Sequence, residues 1–306
     1  MHATREPRSR RSPPQEERLR PDLISSHSLP GRIREMRVRD AHQACALSET
    51  EGWGFDVADF ERILELWPAG SFVCEEGDRI IGMVTTVTHK TSGWIGNVLV
   101  DAPFRSSGLG SALVSRALQH LEEQEAKSIL LYSYKGLEGF YNGFGFRELD
   151  SYTSYRGRIR TGRKRIAAQR MSEGDLAEVC KLDSSCFGDD RSKLLERIRL
   201  EFPATSLLHR SEGRVVGYVM ATVSEVLCNV GPGVALDARW ARLLLGSLGI
   251  LLREKECFLV APTPGGSWLA QEFGLTPGFG ATRMVRGKRP GGRPEHVFAV
   301  GALEKG

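Results

Sequence analysis

The alternation of apolar and polar positions divides the chain into short strands and amphipathic helices. Residues 41–47 read as a helix segment. Residues 71–75 and 79–87 are apolar runs separated by Glu76-Gly77-Asp78, which predicts a hairpin. A strand over 94–100 is followed by a tight polar turn that holds Gly108 and Gly110, and then by an amphipathic helix. Residues 128–133 form a short apolar strand, and a further strand falls near Tyr152. The stretch 155–165, rich in Gly, Arg and Lys, reads as a strand end and linker. The pattern then begins again. Residues 171–182 read as a helix with Ser172 as N-cap ahead of Asp175, and 191–202 as a second amphipathic helix. Runs at 206–210 and 214–221 repeat the earlier hairpin. A strand at 226–230, a helix at 238–252 and a strand at 258–262 follow, and Trp268 to Leu275 parallels Phe140 to Phe146. This order predicts an internal duplication.

The turn after the strand at 94–100 carries the most informative chemistry. A helix N-terminus presents unpaired N–H groups that favour an anion, phosphate above all. Gly108 and Gly110 remove the Cβ atoms that would hold a pyrophosphate off the backbone, and Arg105 adds positive charge. The dinucleotide fingerprint G-x-G-x-x-G is absent, and no Lys follows the glycines as in a P-loop. What remains is R-x-x-G-x-G after a V-x-V-x-x-P strand end. This resembles the acetyl-coenzyme A loop of the GNAT acetyltransferases. The resemblance implies that Arg105, Ser106, Ser107, Gly108, Leu109, Gly110 and Ser111 wrap the pyrophosphate. It also implies that the segment Val98, Leu99, Val100 meets the pantetheine arm, the backbone of Val98 and Val100 pairing with it. Ser106 stands where many members have Gly, but keeps its N–H. The alternative is an ordinary strand-to-helix turn without a ligand.

Phe140, Tyr141, Gly145 and Phe146 match the F-Y-x-x-x-G-F run common in that family. The resemblance places Tyr141 near the sulfur of coenzyme A, where a neutral phenol can protonate the departing thiolate. The alternative is aromatic packing with Phe140 and Phe144. The Asn often found upstream of this run is not evident. The match covers residues 34–158.

The amine would enter opposite the cofactor, over Ser48 to Asp56. An E-G-W run followed by an acidic residue recurs in the two-domain proteins this chain resembles. Trp53 is a candidate pocket wall, and Glu49, Glu51 and Asp56 are candidates to attract a cationic amine. The same residues also read as a solvated acidic loop around one packed tryptophan. Glu49 and His89 are candidate bases. A strand distortion that frees a backbone N–H for the thioester carbonyl is expected at Gly96-Asn97. In the second half the corresponding loop is Gly231 to Ala238, where Pro232 lacks an N–H and no R-x-x-G-x-G follows. Gln271 or Glu272 falls near the place of the tyrosine. This resembles bacterial two-domain GNAT proteins with a degenerate C-terminal half, expected to pack on the active half and close the acceptor site.

Length and composition limit the remaining choices. The 306 residues suit two domains, and 41% hydrophobic with 26% charged residues suits a globular protein. No apolar run approaches the roughly 20 residues of a membrane span. A net charge of +4 gives no argument for nucleic acid. Residues 1–32, rich in Arg and Pro, read as a disordered basic tail without the apolar segment of a secretory signal. Six dispersed cysteines without C-x-x-C suggest neither metal nor disulfides.

The expected fold is α/β (α+β), with two tandem GNAT-like domains, each a mixed central sheet flanked by helices. The tail spans 1–32, the catalytic domain 33–158 and the degenerate domain 159–306. The expected activity is an acetyl-CoA-dependent N-acetyltransferase, moving acetyl directly from the thioester to a primary amine of a small molecule or peptide. A noncatalytic acyl-CoA sensor or scaffold is the alternative. The protein is expected to be cytoplasmic, a monomer or homodimer, with no nucleic acid, membrane or metal partner.

Overall fold

The computed structural model describes residues 29–305 apart from 163, 164 and 226. Most of the expected basic tail, two linker residues and the first residue of the strand expected at 226–230 therefore lie outside the described residues. Arg32, placed in the tail from sequence, instead opens a strand.

The first half runs β1 (Arg32–Glu35), α1 (Ala41–Glu49), α2 (Val57–Leu66), β2 (Phe72–Glu76), β3 (Arg79–Thr88), β4 (Ser92–Val100), α3 (Leu109–Glu123), β5 (Ser128–Tyr134), α4 (Glu138–Asn142) and β6 (Arg147–Gly157). The second half repeats this plan with β7 (Gln169–Arg170), α5 (Leu176–Phe187), α6 (Ser192–Glu201), β8 (Leu207–Ser211), β9 (Arg214–Val223), β10 (Cys228–Ala235), α7 (Ala238–Leu251), β11 (Cys257–Pro262), α8 (Trp268–Phe273) and β12 (Thr276–Gly287). A short strand, β13 (Val297–Ala299), is added at the end. The fold is two GNAT-like units of mixed sheet and flanking helices. α3 seats Leu109, Leu113, Val114, Ala117, Leu118 and Leu121 on one sheet face, the stripe that a 3.6-residue period dictates. α1 and α2 cover the other face of that half through Ala44, Leu47, Phe60 and Leu64, against Val73, Met83 and Leu99.

The halves exchange their last long strands. The sheet order is β1-β2-β3-β4-β5-β12-β6-β11-β10-β9-β8-β7. β12 therefore pairs with β5 of the first half, Thr282 opposite Ser133 and Met284 opposite Leu131. β6 pairs with β11 of the second half, Leu259 opposite Tyr155. β12 and β6 also pair with each other, and Arg283 of β12 grips its partner Asp150 on β6, with Nε–Oδ2 at 3.0 Å. Each half thus completes the other's sheet, and exchange removes two edges that would otherwise be exposed.

The core is shared as well. Val87, Trp94 and Leu130 from the first half pack in one cluster with Phe187, Tyr218 and Val260 from the second. Under it, Arg191 makes a two-pronged ion pair with Asp183, both contacts 2.9 Å, and Tyr218 donates to the same carboxylate. Asp189 accepts from Ser92 N and Oγ at 2.7 Å each, and Arg62 of α2 reaches Glu201 of α6 at 2.7 Å.

After β13 the chain returns to the first half. Val300 N donates to Val260 O at 2.8 Å, and Leu303 packs on the shared core. The Lys305 carbonyl lies 3.1 Å from His89 Nε2. Burial between Trp67 and Phe187 pushes the His89 pKa down to about 4, so the ring is neutral at pH 7 and donates to this carbonyl.

Two outcomes follow from this architecture. Residues 29–158 and 159–305 expressed apart should be insoluble or self-associated, and co-expression should return a soluble one-to-one complex; two well-behaved separate monomers would contradict strand exchange. The stability that neutral His89 preserves is fully present above its unfolded pKa near 6.5 and is lost as pH falls toward 4. Each pH unit in that window costs about 1.4 kcal/mol from this group. Urea unfolding of wild type and His89→Gln at pH 7 and pH 5 should show a smaller loss in the variant, whereas equal losses would remove His89 as the cause.

Candidate active site

The site begins with a defect in β4. Pairing with β3 shifts register between Met83 and Thr85, so Asn97 and Val98 stand against the single residue Val84. Asn97 takes φ 49°, and its Nδ2 donates to Thr85 Oγ1 at 3.1 Å, which pins the bulge. This is the distortion expected at Gly96-Asn97. The parallel pairing of β4 with β5 runs from Ser92 to Ile95 and stops there. Beyond Ile95, among the described residues, no strand pairs with the β5-facing edge of β4, which includes Val98, Leu99 and Val100. The two strands diverge, leaving a wedge with an open backbone edge.

The wedge leads to the N-terminus of α3. Gly108 caps the helix at φ +84°, a conformation that L side chains adopt only with strain, and a Cβ there would point into open space. Ser107 Oγ donates to Phe104 O at 2.7 Å and closes the turn. Ser106 adopts φ 66°, so a residue with a side chain occupies a left-handed position that glycine fills without strain. The first helical N–H to bond backward is that of Ala112, to Gly108 O at 3.1 Å. The N–H groups of Gly110 and Ser111 precede it and lie in the first turn, where no helical carbonyl is available. Arg105 is half-exposed; its Nε donates to Val100 O at 3.0 Å and its Nη2 to Glu51. Arg105 thus ties the turn before α3 to the loop that carries Glu51 and Trp53.

Tyr141 on α4 is buried beside Phe140 and Phe146, and the Phe140 ring reaches to Gly110. Burial, with Tyr134 adding, pushes the Tyr141 pKa up to about 12, so the phenol keeps its proton at neutral pH. Tyr134, at the end of β5, is also raised to about 12, first by burial and then by Glu51 and Glu304, with the N–H of Trp53 opposing. Charges from the first-half loop and from the tail of the second half thus both act on the Tyr134 hydroxyl.

The other sequence candidates take supporting places. Glu49 is exposed, and its Oε1 accepts from Gly54 N at 3.1 Å, bracing the Trp53 loop. Asp56 caps α2, exchanging hydrogen bonds with Asp59 at 3.0 and 3.1 Å. His89 is enclosed by aromatic rings and engaged with Lys305, away from the wedge. Trp53 is half-buried against Phe55. Sequence reasoning missed Tyr134 and Glu304.

The equivalent wedge in the second half is filled. β10 pairs with β11 at Cys228 and Asn229, and farther along β13 takes Gly233 and Val234. The N-terminus of α7 is capped by Asp237, whose carboxylate accepts from Arg239 N at 2.8 Å, so an anion is already in place. Glu272 is held by Arg242 at 2.8 Å.

The sequence profile of the acetyltransferase (GNAT) family matches residues 36–146, and that of an acetyltransferase (GNAT) domain matches residues 179–299. The chain belongs to the GNAT acetyltransferase family and carries two of its domains in tandem. It is 26% identical over 144 residues, 46% of its length, to the uncharacterized N-acetyltransferase YitH of Bacillus subtilis, and covers 50% of that protein. The chain thus spans about half the length of this curated relative. A Pyrococcus horikoshii protein designated an acetyltransferase superposes with TM-score 0.77 at 20% identity, over 92% of this chain and 98% of that one. A tandem GNAT protein from the clavulanic acid biosynthesis pathway superposes with TM-score 0.59 at 13% identity, over 83% and 98%. These likenesses concern the fold. No helix among the described residues is long and apolar enough to cross a membrane.

One open wedge and one filled wedge predict one coenzyme A site per chain. Calorimetric titration should give a stoichiometry near one, and a value near two would contradict closure of the second wedge by β13.

Proposed function

We propose that the first half binds acetyl-CoA and transfers its acetyl group to a primary amine of a small molecule. The observation that carries this reading is the continuity of the wedge. An unpaired β4 edge past the Asn97 bulge runs directly to a helix N-terminus with available N–H groups. An extended amide-bearing arm fits the first, and a pyrophosphate fits the second. The backbone of Val98 and Val100 would hold the arm. Arg105 through Ser111 would hold the phosphates, with Leu109 fixing the helix end in the core.

The thioester supplies an activated acetyl group. The bulge turns a strand N–H out of the ladder, where it can stabilise charge on the thioester carbonyl oxygen. Tyr141, neutral and buried, holds a proton for the departing sulfur. Trp53 and Asp56 belong to the wall on the acceptor side, and Glu49 keeps that wall in place. A small amine is favoured because the second half covers the acceptor face. Leu227 lies against Gly54, and the C-terminal tail lies over Gly96. Most of the gain comes from holding amine and thioester in line.

The test separates binding from chemistry. Gly110 is not in a left-handed conformation, and a Cβ there meets only ordinary contacts at 3.8 and 3.9 Å. Gly110→Glu should therefore fold normally yet lose acetyl-CoA affinity by about 100-fold, since a carboxylate meets the phosphates at the helix end. Tyr141→Phe should bind acetyl-CoA as wild type does and lose turnover by about 100-fold or more. Unchanged affinity in the first variant, or full activity in the second, would overturn the reading.

A further inference from the structure

Glu304 is a buried carboxylate carried by the second half. It sits in the C-terminal tail and is 2% exposed, with its Oε1 enclosed. Its ionic neighbour is Lys305, Nζ to Oε1 at 2.9 Å. A buried carboxylate with so little compensation is costly, and such groups are concentrated at functional sites.

Its position gives that cost a reason. The backbone of Glu304 lies against Gly96, one residue before the Asn97 bulge, and any Cβ on Gly96 would collide with its Cα and Cβ. Gly96 and Trp94 lie on the sheet face opposite α3, which is the acceptor face, and the charge of Glu304 is felt by the Tyr134 hydroxyl at the end of β5. The tail is fixed on both sides of the residue, by Leu303 in the shared core and by the Lys305 carbonyl on His89. The other acidic side chains near the wedge are committed, Glu51 to Arg105 and Glu49 to Gly54 N.

We propose that Glu304, brought across from the second half, is the general base that takes the proton of the acceptor amine. The proposal rests on the acetyltransferase reading above. An ammonium that reaches the Glu304 carboxylate gives one proton to it, and Glu304 passes that proton to solvent. The nitrogen lone pair then forms the C–N bond while the C–S bond breaks. The sulfur leaves with its bonding pair and takes the Tyr141 proton, and the remaining excess N–H proton returns to Tyr141. The products are the amide, coenzyme A thiol and one proton in solution. The degenerate half would thereby contribute a catalytic group to its partner's site, and its strand β13 positions the chain that carries it.

The test uses the full chain, acetyl-CoA and a panel of an alkyl diamine, an amino sugar and a short peptide, read as thiol release. Glu304→Gln keeps the shape and removes the basicity. It should bind acetyl-CoA as wild type does, lose some stability because buried Lys305 loses its anionic partner, and lose 100-fold or more in kcat near pH 7. Raising the pH should recover part of that loss, because free amine then needs no base, and Glu304→Asp should retain more activity than Glu304→Gln. Wild-type kcat in Glu304→Gln, or a rise in KM for the amine alone, would overturn the assignment. A wild type that binds acetyl-CoA but turns over no amine in the panel would overturn the acetyltransferase reading, and the base assignment with it.

Discussion

Two parallel strands that diverge leave a gap whose backbone groups need partners, and the molecule answers this constraint differently in its two halves. In the first, β4 bulges at Asn97 and leaves β5 after Ile95, and the edge beyond stays open toward α3. In the second, β10 leaves β11 after Asn229 and the gap is taken by β13. Unpaired backbone groups inside a protein cost free energy, so an open edge persists where a ligand can satisfy it. The same strand that silences one wedge continues into the tail that lies over the other.

The exchange of β6 and β12 makes the two halves one structural unit. β12 lies between β5 and β6 of the first half, β6 lies between β12 and β11 of the second, and the shared core around Trp94, Phe187 and Tyr218 has no boundary that follows the sequence. The consequence for function is placement. Side chains from the second half can stand at fixed positions over the first half's wedge, because the sheet that carries them is continuous.

Much of this was legible locally. The hairpin at 71–87, the helix from Leu109 and the glycine turn before it carry their own patterns within a few residues. The duplicated order could be read from the repeat of those patterns, and the bulge was expected at Gly96-Asn97 from the family resemblance. Five elements were not read. β1, β7 and β13 are too short to show a period. α2 is announced by the Asp56-Asp59 capping pair, of which only Asp56 is named from sequence, as a candidate to attract the amine. β12 was hidden because Gly278, Gly280, Arg283 and Arg286 interrupt its apolar positions. Strand exchange leaves no local trace, since β6 and β12 would show the same alternation in either arrangement. Glu304 sits in a polar chain end that looks solvated; the signal that could have found it is Gly96, a glycine inside an apolar strand, which asks what approaches it so closely.

The central claim is that coenzyme A occupies the wedge between β4 and β5 and the N-terminus of α3 in the first half, and leaves the second half untouched. Amide hydrogen exchange with and without acetyl-CoA reads this directly, residue by residue. The account predicts slowed exchange across Val98 to Ala112 and none across Gly231 to Ala241. Protection at Gly231 to Ala241, or none at either turn, would contradict it.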